Sequence, residues 1–446
     1  MAAPGVDACA SAAYPQWACS NEWLCHTNDD ENMHRLNTGP VSVDVAIVGG
    51  GVAGSSLTIA LVEGGLKVAL IEREARFRDR VRGESLHPWG HAEAARLGLV
   101  PCLVDAGANP LPVWQRYRDR FPEPPYHWSE DVPEDHVEWG ISHPALQETL
   151  LQRAGAVGAT VLRPAAVVRC RWAPTLEITV AGHDSIDTVR ARLLVGADGA
   201  HSLVRRWIGG TVKHDPTHHL IGGGLLDGVD LDATAAHQGY FPGGMVMIMP
   251  RQYGTARAYY VCDPDRAAVV RAGGSAGFLA ACASALPEGA LSAATPAGPV
   301  AFFPGADSWS GRLSGDDTVL IGDAAGANDP SQGHGLSLAF RDARSLRDCL
   351  CSTAPSGWPA AIADFAADRE QVFAVLRAHA QWAGQLLIDQ GSAADERRER
   401  AGQGREVDPT AGGFAGIYAF GPDGLVVDET ARRHFFGEDL ELSGAA

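Results

Sequence analysis

A single stretch, DVAIVGGGVAGSSLTIALVEGGLKVALIE from Asp44 to Glu72, constrains the fold of this chain more than any other. The apolar run at 43–48 predicts a buried parallel strand, and a glycine-rich turn and an amphipathic helix follow it. A second apolar run, Val68–Ile71, ends in the acid Glu72. Strand, turn, helix and strand in this order indicate a βαβ unit, so the sequence predicts an α/β protein with a Rossmann-like domain.

The turn between these two strands fits the pattern G-x-G-x-x-G. The first glycine allows the tight turn, the second lets the backbone approach a pyrophosphate, and the third lets helix and strand pack closely. The helix N-terminus offers backbone N–H groups to the phosphates, and the acid that ends the second strand can accept from a ribose hydroxyl. The residues assigned to a dinucleotide are Gly49, Gly51, Val52, Ala53, Gly54 and Glu72.

Composition narrows the classes of partner and compartment. The chain has 446 residues, enough for two or three domains, and its 46% hydrophobic and 20% charged content is ordinary for a globular protein. A net charge of −18 disfavours nucleic acid and anionic membranes, because both would repel the chain. The sequence has no apolar run long enough for a membrane span, so we expect no integral membrane association. The nine cysteines lack metal-ligand spacing and no signal peptide is evident, so we expect no metal site and a cytoplasmic location.

Changes of pattern along the chain predict its regions. Residues 1–42 lack periodicity and are expected to form a disordered extension. An aromatic-rich segment at 111–140 and the strand-like runs of 211–300 predict an antiparallel-sheet substrate domain. The region 351–446 is predicted to be helical, with a charged break at 394–406 and an aromatic tail. The nucleotide-binding domain is then discontinuous and comprises residues 43–110, 141–210 and 301–350.

Two sets of apolar side chains are candidates for a substrate-pocket wall. Met245 and Met247 lie at alternate positions of one predicted strand, so they share a face that could line a ligand cavity. A plain sheet core is an equally good interpretation of the same pattern. Trp114 and Tyr117, from the aromatic-rich segment, are the other two candidates.

Two further predicted strands end in turns, with the sequences GADGAHSLVRR at 196–206 and IGDAAGANDPSQGHGLSLAFRDARSL at 321–346. Together with the turn at 49–54, they resemble the motifs of the group A flavin-dependent monooxygenases, which have the para-hydroxybenzoate hydroxylase-like fold. The resemblance covers residues 43–350. It implies FAD as the bound cofactor, NAD(P)H as a transient reductant, and O2 and a small apolar or aromatic molecule as substrates. It does not imply an oligomeric state.

The resemblance also implies roles for single residues. Glu72 would hold the adenosine ribose, and the backbone of Val167 would lie beside the adenine. Asp198 is implicated in pyrophosphate contacts and in the use of the nicotinamide cofactor. Asp323 would accept a hydrogen bond from a ribityl hydroxyl, and Gly322 would keep that turn tight.

The loop Pro330–Gly335 opens a predicted helix. Its N–H groups and the positive end of the helix dipole would face the N1–C2=O edge of the isoalloxazine, which gains negative charge in the reduced flavin. Gly333 and Gly335 would leave room for the ring, although a simple helix-start turn is the alternative interpretation. Pro330 and His334 are assigned to the same contact, and His334 is also a candidate catalytic residue.

Charged and titratable residues follow the first βαβ unit. Arg73 and Arg82 could neutralise a pyrophosphate, and a solvated charged loop is the alternative. His87 follows a Gly-Glu-Ser run at 83–85 and is a candidate proton relay or substrate orienter near the flavin. A structural histidine before Pro88 is the alternative interpretation of His87.

Two positions depart from the family pattern. His143 stands where the family often has an arginine, so a permanent charge becomes a titratable one. The Gly-Glu-Ser run is closer to flavin halogenases and geranylgeranyl reductases. A flavin halogenase needs a lysine to capture or steer hypohalous acid, and neither of the two lysines, Lys67 and Lys213, is well placed for this.

The leading hypothesis is therefore a monooxygenase that hydroxylates or epoxidises an aromatic or polycyclic substrate. Arginine-rich and lysine-poor composition is typical of a high-GC genome, and the resemblance implies a secondary-metabolite substrate there, because enzymes of this family in such genomes often act on secondary metabolites. The alternatives are an FAD-dependent reductase of isoprenoid double bonds, a flavin halogenase and a non-catalytic flavoprotein. Because a flavin carries the difficult chemistry itself, no nucleophile triad is expected.

Overall fold

The computed structural model describes residues 40–81, 84–133, 136–172, 175–182, 186–315, 317–408 and 414–438. These residues all belong to one compact unit. The predicted N-terminal extension at 1–42 lies outside the described residues except for its last three, and Arg82 lies outside them as well. Within the described ranges, no helix has the length and apolar character that a bilayer crossing needs.

The strands of the described residues are mostly short. In chain order they are β1 (Val41–Ser42), β2 (Val45–Val48), β3 (Val68–Ile71), β4 (Ser85–Leu86), β5 (Asn109–Leu111), β6 (Val113–Arg118), β7 (Phe121–Pro122), β8 (Tyr126–His127), β9 (Glu138–Gly140), β10 (Thr160–Leu162), β11 (Ala165–Trp172), β12 (Leu176–Gly182), β13 (Ile186–Ala191), β14 (Leu193–Gly196), β15 (Val212–His214), β16 (His219–Asp227), β17 (Ala235–Phe241), β18 (Gly244–Pro250), β19 (Thr255–Cys262), β20 (Thr295–Pro296), β21 (Ala301–Gly305), β22 (Ser308–Ser310), β23 (Ser314–Gly315), β24 (Thr318–Leu320) and β25 (Gly326–Ala327).

The helices lie mainly at the two ends of the described chain. They are α1 (Val52–Glu63), α2 (Pro88–Arg96), α3 (Val100–Asp105), α4 (His143–Ala156), α5 (Leu203–Trp207), α6 (Pro264–Ala272), α7 (Gly274–Ala283), α8 (Gly335–Cys351), α9 (Trp358–Leu387), α10 (Ser392–Val407), α11 (Ile417–Phe420) and α12 (Glu429–Phe435).

A six-stranded sheet with the order β10-β3-β2-β14-β24-β23 forms the centre of the nucleotide-binding part. Its neighbours are parallel except for the edge strand β23. Strands β2 and β14 are buried throughout, because α1, α4 and α8 cover one face of the sheet and β11–β13 cover the other. The predicted Rossmann-like α/β domain is confirmed.

A nine-stranded sheet contains the order β16-β19-β18-β17-β6. Its central neighbours are antiparallel, and β6 joins in parallel beside β17. One face packs on α6 and α7 through side chains such as Val246 and Ile248. The other face carries Met245 and Met247. The predicted antiparallel sheet is therefore confirmed, and the aromatic-rich segment supplies its strand β6.

The C-terminal region is helical as predicted, but two details differ. The charged break expected at 394–406 is the helix α10, in which opposite charges pair one turn apart, as Asp395 and Arg398 do. The aromatic tail is not loose either. Phe414 is buried in a cluster with side chains of α9, because its ring finds an apolar surface there. This packing directs the following residues, including Tyr418, toward the candidate site.

Candidate cofactor and substrate site

The three glycine-containing turns lie side by side at the carboxyl edge of the parallel sheet. Gly49 has a φ of 106°, and a Cβ at this position would lie 2.2 Å from the carbonyl oxygen of Ala197, in the second turn. Gly322, in the third turn, has a φ of 57°, and a Cβ there would lie 3.0 Å from the Cβ of Ala53. Because β2, β14 and β24 are neighbours, their ends form one edge at which a ligand can bind.

The first turn leaves an open cradle at the start of α1. The nearest outside contact of a Cβ at Gly51 would be the amide nitrogen of Gln147, at 3.6 Å. The helix begins without a side-chain cap and without an acid in its first turn, so its first N–H groups are available to an anion. Gly54 is constrained differently, since a Cβ there would lie 1.9 Å from the carbonyl oxygen of Gly49. The glycines therefore have the separate roles that the sequence pattern predicts: Gly49 and Gly54 allow close packing, and Gly51 leaves space for a ligand.

Glu72, at the end of β3, stabilises the same turn through hydrogen bonds. Its carboxylate accepts hydrogen bonds from the backbone N–H groups of Gly50 and Glu74, each at 2.7 Å, and the residue is buried. This position is compatible with the predicted ribose contact. Arg73 is mostly exposed, and its guanidinium lies 3.8 Å from the carboxylate of Glu74. The charge of Arg73 is thus directed to Glu74 rather than to the turn.

The second turn carries Asp198, whose carboxylate caps the short helix α5. It accepts hydrogen bonds from the hydroxyl of Ser202 and from the backbone N–H of Leu203, the latter at 2.6 Å. These contacts hold the turn in shape, and a pyrophosphate contact of Asp198 stays a prediction. Val167 is buried in β11, and its backbone contact with an adenine also stays a prediction.

A buried ion pair, which the sequence analysis did not predict, holds the third turn in place. The backbone N–H of Gly322 donates to Oδ2 of Asp342 at 2.8 Å. The other carboxylate oxygen lies 2.7 Å from Nε of Arg369, and both charged side chains are almost fully buried. Asp342 comes from α8 and Arg369 from α9, so two helices fix the turn that carries Asp323.

Asp323 is exposed at the end of β24 and is expected to bind the ribityl chain. We expect Asp323→Ala to bind FAD about tenfold more weakly or worse, because a hydrogen bond to a charged group contributes roughly 1.5–3 kcal/mol. The ratio of flavin to protein absorbance after purification measures the loss. Asp364→Ala, an exposed change on α9, is the control. Stoichiometric FAD in Asp323→Ala would contradict the assignment.

The loop at 330–335 presents an open helix N-terminus. Helix α8 starts at Gly335 without a side-chain cap and without an acid in its first turn. A Cβ at Gly335 would meet no heavy atom of the described residues within 4 Å. Gly333 has a φ of 69°, which favours glycine, and Asp329 accepts the N–H of Ser331 at 2.9 Å. The dipole of α8 can stabilise a negatively charged ligand edge here.

His87 lies buried against this loop. Its Nε2 is 2.8 Å from the carbonyl oxygen of Gln332 and carries the hydrogen, since a carbonyl can only accept. Its Nδ1 is 3.4 Å from the carboxylate of Glu138, which also accepts from the hydroxyl of Ser85. The structure thus brings the predicted relay residue to the loop. It adds Glu138, which sequence reasoning missed because β9 reaches β4 only through tertiary pairing.

His334 begins this helix, but its ring points into the protein. The ring stacks on Tyr418 at a centroid distance of 5.3 Å and meets the rings of His379 and His87 edge-on. Burial, and then these two imidazoles, hold the pKa of His334 well below its usual range. Its ring is neutral at ordinary pH, so its backbone is the part suited to the cofactor. A catalytic role of His334 stays a prediction.

Tyr418 joins the loop to the antiparallel sheet. Its hydroxyl donates to the side-chain oxygen of Gln332 at 2.6 Å, and its ring lies 5.7 Å from that of Trp114. Burial raises the pKa of Tyr418, so the phenol keeps its proton and remains a donor. The sequence did not predict a role for Tyr418, because 86 residues separate it from Gln332 and no local pattern indicates the contact.

The sheet face opposite α6 and α7 is largely apolar. Met245 and Met247 pack there with Ile221 and neighbouring apolar side chains. Trp114 reaches the same face from β6 and adjoins the cluster of Met249. Arg116, two residues further on, shares this face, and it has no ion-pair partner in the described part of the chain. Trp114, Met245 and Met247 thus lie on one surface, as the predicted pocket wall requires.

Tyr117 is the exception among the four predicted wall residues. Side chains alternate along a strand, so Tyr117, three residues after Trp114, points to the opposite face. There its hydroxyl lies 2.9 Å from Nδ1 of His237, and its ring packs in the cluster that contains Val246. The prediction that Tyr117 lines the same wall as Met245 is wrong, because an odd separation changes the face.

A second buried carboxylate, Asp307, lies beside the loop. It accepts hydrogen bonds from the side chain of Asn328 at 2.5 Å and from the backbone N–H of Asp329 at 3.0 Å. Burial, and then the nearby carboxylate of Asp329, raise the pKa of Asp307 to about 7.

This raised pKa predicts a pH-dependent stability. The folded chain keeps a proton on Asp307 that the unfolded chain releases near pH 4, so the stabilising contribution is lost as the pH rises through about 7. The free energy of unfolding should therefore fall by about 2–3 kcal/mol between pH 5 and 8, and Asp307→Asn should remove that fall. Urea unfolding at the two pH values measures it, with Asp364→Asn as the control. Equal pH dependence in wild type and Asp307→Asn would count against the assignment.

Comparison with known proteins identifies the class. Residues 42–376 match the family described as FAD binding domain. The match spans both sheets and all three turns, so the chain belongs to this family, and its motifs are those of the group A flavin-dependent monooxygenase superfamily. The prediction of FAD as the bound cofactor is confirmed. The open cradle at Gly51 fits a pyrophosphate, and the uncapped start of α8 fits the flavin edge that becomes negative.

Two curated relatives align over much of the chain. Squalene epoxidase erg1 from Aspergillus fumigatus is 29% identical over 336 residues, 69% of this chain and 66% of the relative. Ubiquinone hydroxylase UbiL from Rhodospirillum rubrum is 26% identical over 359 residues, 74% of this chain and 80% of the relative. Squalene epoxidase 4 from Arabidopsis thaliana matches over 33% of its length. The chain therefore spans about two thirds or less of the squalene epoxidases it matches.

Solved structures share the fold. The p-nitrophenol 4-monooxygenase PnpA from Pseudomonas putida has a TM-score of 0.69 at 18% identity, with 91% of this chain and 100% of that chain covered. The flavin-dependent halogenase CmlS has a TM-score of 0.68 at 20% identity, with 91% and 78% covered. Because both classes have this fold, the fold alone does not distinguish oxygenation from halogenation.

Proposed function

We propose that this chain is a monooxygenase that inserts one atom of O2 into an apolar aromatic or polycyclic substrate, by hydroxylation or epoxidation. When bound, FAD supplies the electron-transfer and oxygen-activating chemistry, and NAD(P)H, the typical reductant of the family, acts transiently. One observation carries the proposal. Trp114 shares the sheet face of Met245 and Met247 and lies 5.7 Å from the ring of Tyr418, whose hydroxyl donates to Gln332 in the loop at 330–335. This connection supports an apolar substrate held beside the reactive end of the cofactor.

The chain's own residues bind and polarise the cofactor. The first N–H groups of α1, beside Gly51, would hold the pyrophosphate, and Asp323 would accept a hydrogen bond from the ribityl chain. The first N–H groups of α8, at Gly335, stabilise negative charge on the pyrimidine edge, because the positive end of the helix dipole lies there. The apolar sheet face excludes water, which strengthens these electrostatic contacts.

His87 is the proposed proton-holding residue at the loop. Its Nε2–H donates to the carbonyl of Gln332, and its Nδ1 faces Glu138. The Nε2–H bond to Gln332 fixes the ring and keeps Nδ1 turned toward the carboxylate of Glu138, 3.4 Å away. His87 therefore orients the loop and holds a proton beside it.

The substrate class follows from the surface and from the relatives. Met245, Met247 and Ile221 give the sheet face an adaptable apolar part, and Gln238 and Arg116 add polar groups to the same face. A squalene epoxidase and a ubiquinone hydroxylase are, by their names, enzymes that oxygenate apolar molecules. The apolar part of the surface suits either reaction, and the two relatives favour oxygenation over the reduction of isoprenoid double bonds. A secondary-metabolite substrate is part of the same proposal.

Oxygen labelling tests the proposed reaction. The FAD-loaded enzyme is given NAD(P)H, ¹⁸O2 and a panel of apolar phenols, polycyclic aromatics and squalene, with bromide present. We expect equal consumption of NAD(P)H and O2 and a product that carries one ¹⁸O atom. A reduced product formed equally well under argon would support the isoprenoid reductase instead. A brominated product would support the halogenase, and either result would overturn the proposal.

A further inference from the structure

A line of titratable side chains leads from the surface to the loop at 330–335. Nε2 of His218 lies 2.9 Å from Oδ1 of Asp389, and its Nδ1 lies 3.3 Å from Nδ1 of His219. Nε2 of His219 then lies 3.3 Å from Oδ2 of Asp329, an ion-pair distance without hydrogen-bond alignment. Four residues on three separate segments are thus joined in the order carboxylate, imidazole, imidazole, carboxylate.

The line runs from solvent into the core. The side chains of His218 and Asp389 are 43% and 32% exposed, whereas those of His219 and Asp329 are 2% and 6% exposed. Gly305 packs so closely on His219 that a Cβ there would lie 2.1 Å from the ring nitrogen Nε2. The inner imidazole is therefore held in place, while the outer one can exchange protons with water.

The facing nitrogens determine how many protons the line holds. If both rings were neutral with Nε2–H toward the carboxylates, the two Nδ1 atoms would present lone pairs to each other. Their 3.3 Å contact is attractive only when one Nδ1 carries a hydrogen. Two neutral imidazoles supply one hydrogen to each of the two aligned contacts, His218 with Asp389 and His218 with His219. Nε2 of His219 then has no hydrogen and faces the carboxylate of Asp329 at 3.3 Å, where a proton can bind. The line therefore accommodates one additional proton, whose positive charge lies between two carboxylates.

Charged groups on the neighbouring elements also face this line. Arg397, on α10, pairs with the outer carboxylate at 2.9 Å. The buried Asp307 lies beside the inner carboxylate, and the ion pair of Asp215 with Arg377 acts on Asp307 in turn. The inner end thus has two adjacent carboxyl groups, which favours holding a proton there.

We propose that His218 and His219 form a proton relay that delivers solvent protons to Asp329, at the entrance to the loop at 330–335. The inference rests on the proposed function, because a monooxygenase consumes protons. For a substrate S the balance is S + O2 + NAD(P)H + H⁺ → SO + NAD(P)⁺ + H2O, so each turnover takes one proton from solvent. The His87 contacts at the loop are buried, whereas this line has an outer end in water.

Proton uptake tests the relay. The FAD-loaded enzyme is reduced with one equivalent of NAD(P)H without oxygen and is then mixed with O2 in weak buffer that contains a pH indicator. Hydride transfer that gives the anionic reduced flavin takes up no proton, and the measured oxidation, FADH⁻ + O2 + H⁺ → FAD + H2O2, then consumes one proton even without substrate. We expect His219→Gln and His218→Gly to slow proton uptake about tenfold or more. Added imidazole should restore His218→Gly, because its site is open to solvent, whereas it should not restore His219→Gln.

Controls separate the relay from a structural role and from failure of the proposed function. His214→Gly, an exposed histidine on β15, should behave like wild type. Proton uptake within twofold of wild type in His219→Gln, or no imidazole effect in His218→Gly, would overturn the relay. A wild-type chain that binds FAD but does not react with NAD(P)H and O2 would instead contradict the proposed function.

A second measurement needs no turnover. In the oxidised, FAD-loaded chain, the ring signals of His218 and His219 in NMR spectra should change over one common pH interval, because the two rings share a proton. In His219→Gln, the remaining signal of His218 should shift to a different interval. Independent titration of the two rings in the wild-type chain would overturn the shared proton and with it the relay.

Discussion

Asp342→Ala should lose several kcal/mol of stability and most of its FAD. Asp342 is completely buried, accepts the N–H of Gly322 at 2.8 Å and lies 2.7 Å from the guanidinium of Arg369. Removing one partner of a buried ion pair leaves an uncompensated charge, which costs about 3–5 kcal/mol. The same change releases the turn that carries Asp323. Stability and cofactor binding should therefore fall together.

Urea unfolding and the flavin absorbance of the purified protein measure both effects. Asp348→Ala, also on α8, removes a half-exposed carboxylate that pairs with Arg344 at the surface, and we expect a loss below about 1 kcal/mol. Combining Asp342→Ala with Arg369→Met should recover part of the stability, because the orphaned charge is removed. If Asp342→Ala were as stable as Asp348→Ala, the buried pair would not be what holds the third turn.

The parts of the site that could be predicted from sequence are those in which a local sequence pattern fits only one low-energy conformation. The turn at 49–54 combines a glycine that needs a positive φ with one that needs close packing, and both requirements are met in the structure. The start of α8 at Gly335 was likewise predictable, because the glycine-rich loop must end where the amphipathic pattern begins. The shared face of Met245 and Met247 follows from strand alternation alone.

The parts that could not be predicted depend on which distant elements pair. Glu138 meets His87 because β9 pairs with β4, and nothing within either segment specifies that partner. Tyr418 lies in a segment that the sequence alone presents as an aromatic tail. Its position depends on the packing of Phe414 against α9, which is a tertiary contact. The prediction for Tyr117 was wrong for another reason. An aromatic-rich composition does not show on which face of the strand each ring lies. Composition predicts that the segment contributes to a pocket wall, and the strand register determines which of its side chains face the pocket.

Gly51→Val should remove FAD without unfolding the chain. Gly51 has a φ of −69° and a ψ of −171°, an extended conformation that valine adopts readily, and the nearest outside atom is 3.6 Å from its would-be Cβ. The side chain would therefore occupy the open cradle in which the pyrophosphate is expected. We expect FAD affinity to fall at least 100-fold, which corresponds to about 2.7 kcal/mol. The stability of the FAD-free chain should change by about 1 kcal/mol or less, since only a cap glycine is replaced.

Gly54→Ala provides the contrast within the same turn. Its Cβ would lie 1.9 Å from the carbonyl oxygen of Gly49, so backbone must shift, and such overpacking typically costs about 1–3 kcal/mol. Flavin fluorescence titration and urea unfolding of the FAD-free chains should therefore separate the two variants: Gly51→Val should lose affinity, and Gly54→Ala should lose stability. Unchanged FAD affinity in Gly51→Val would mean that the pyrophosphate does not lie in this cradle. Equal losses of stability in both variants would mean that the open space at Gly51 is needed for folding rather than for the cofactor.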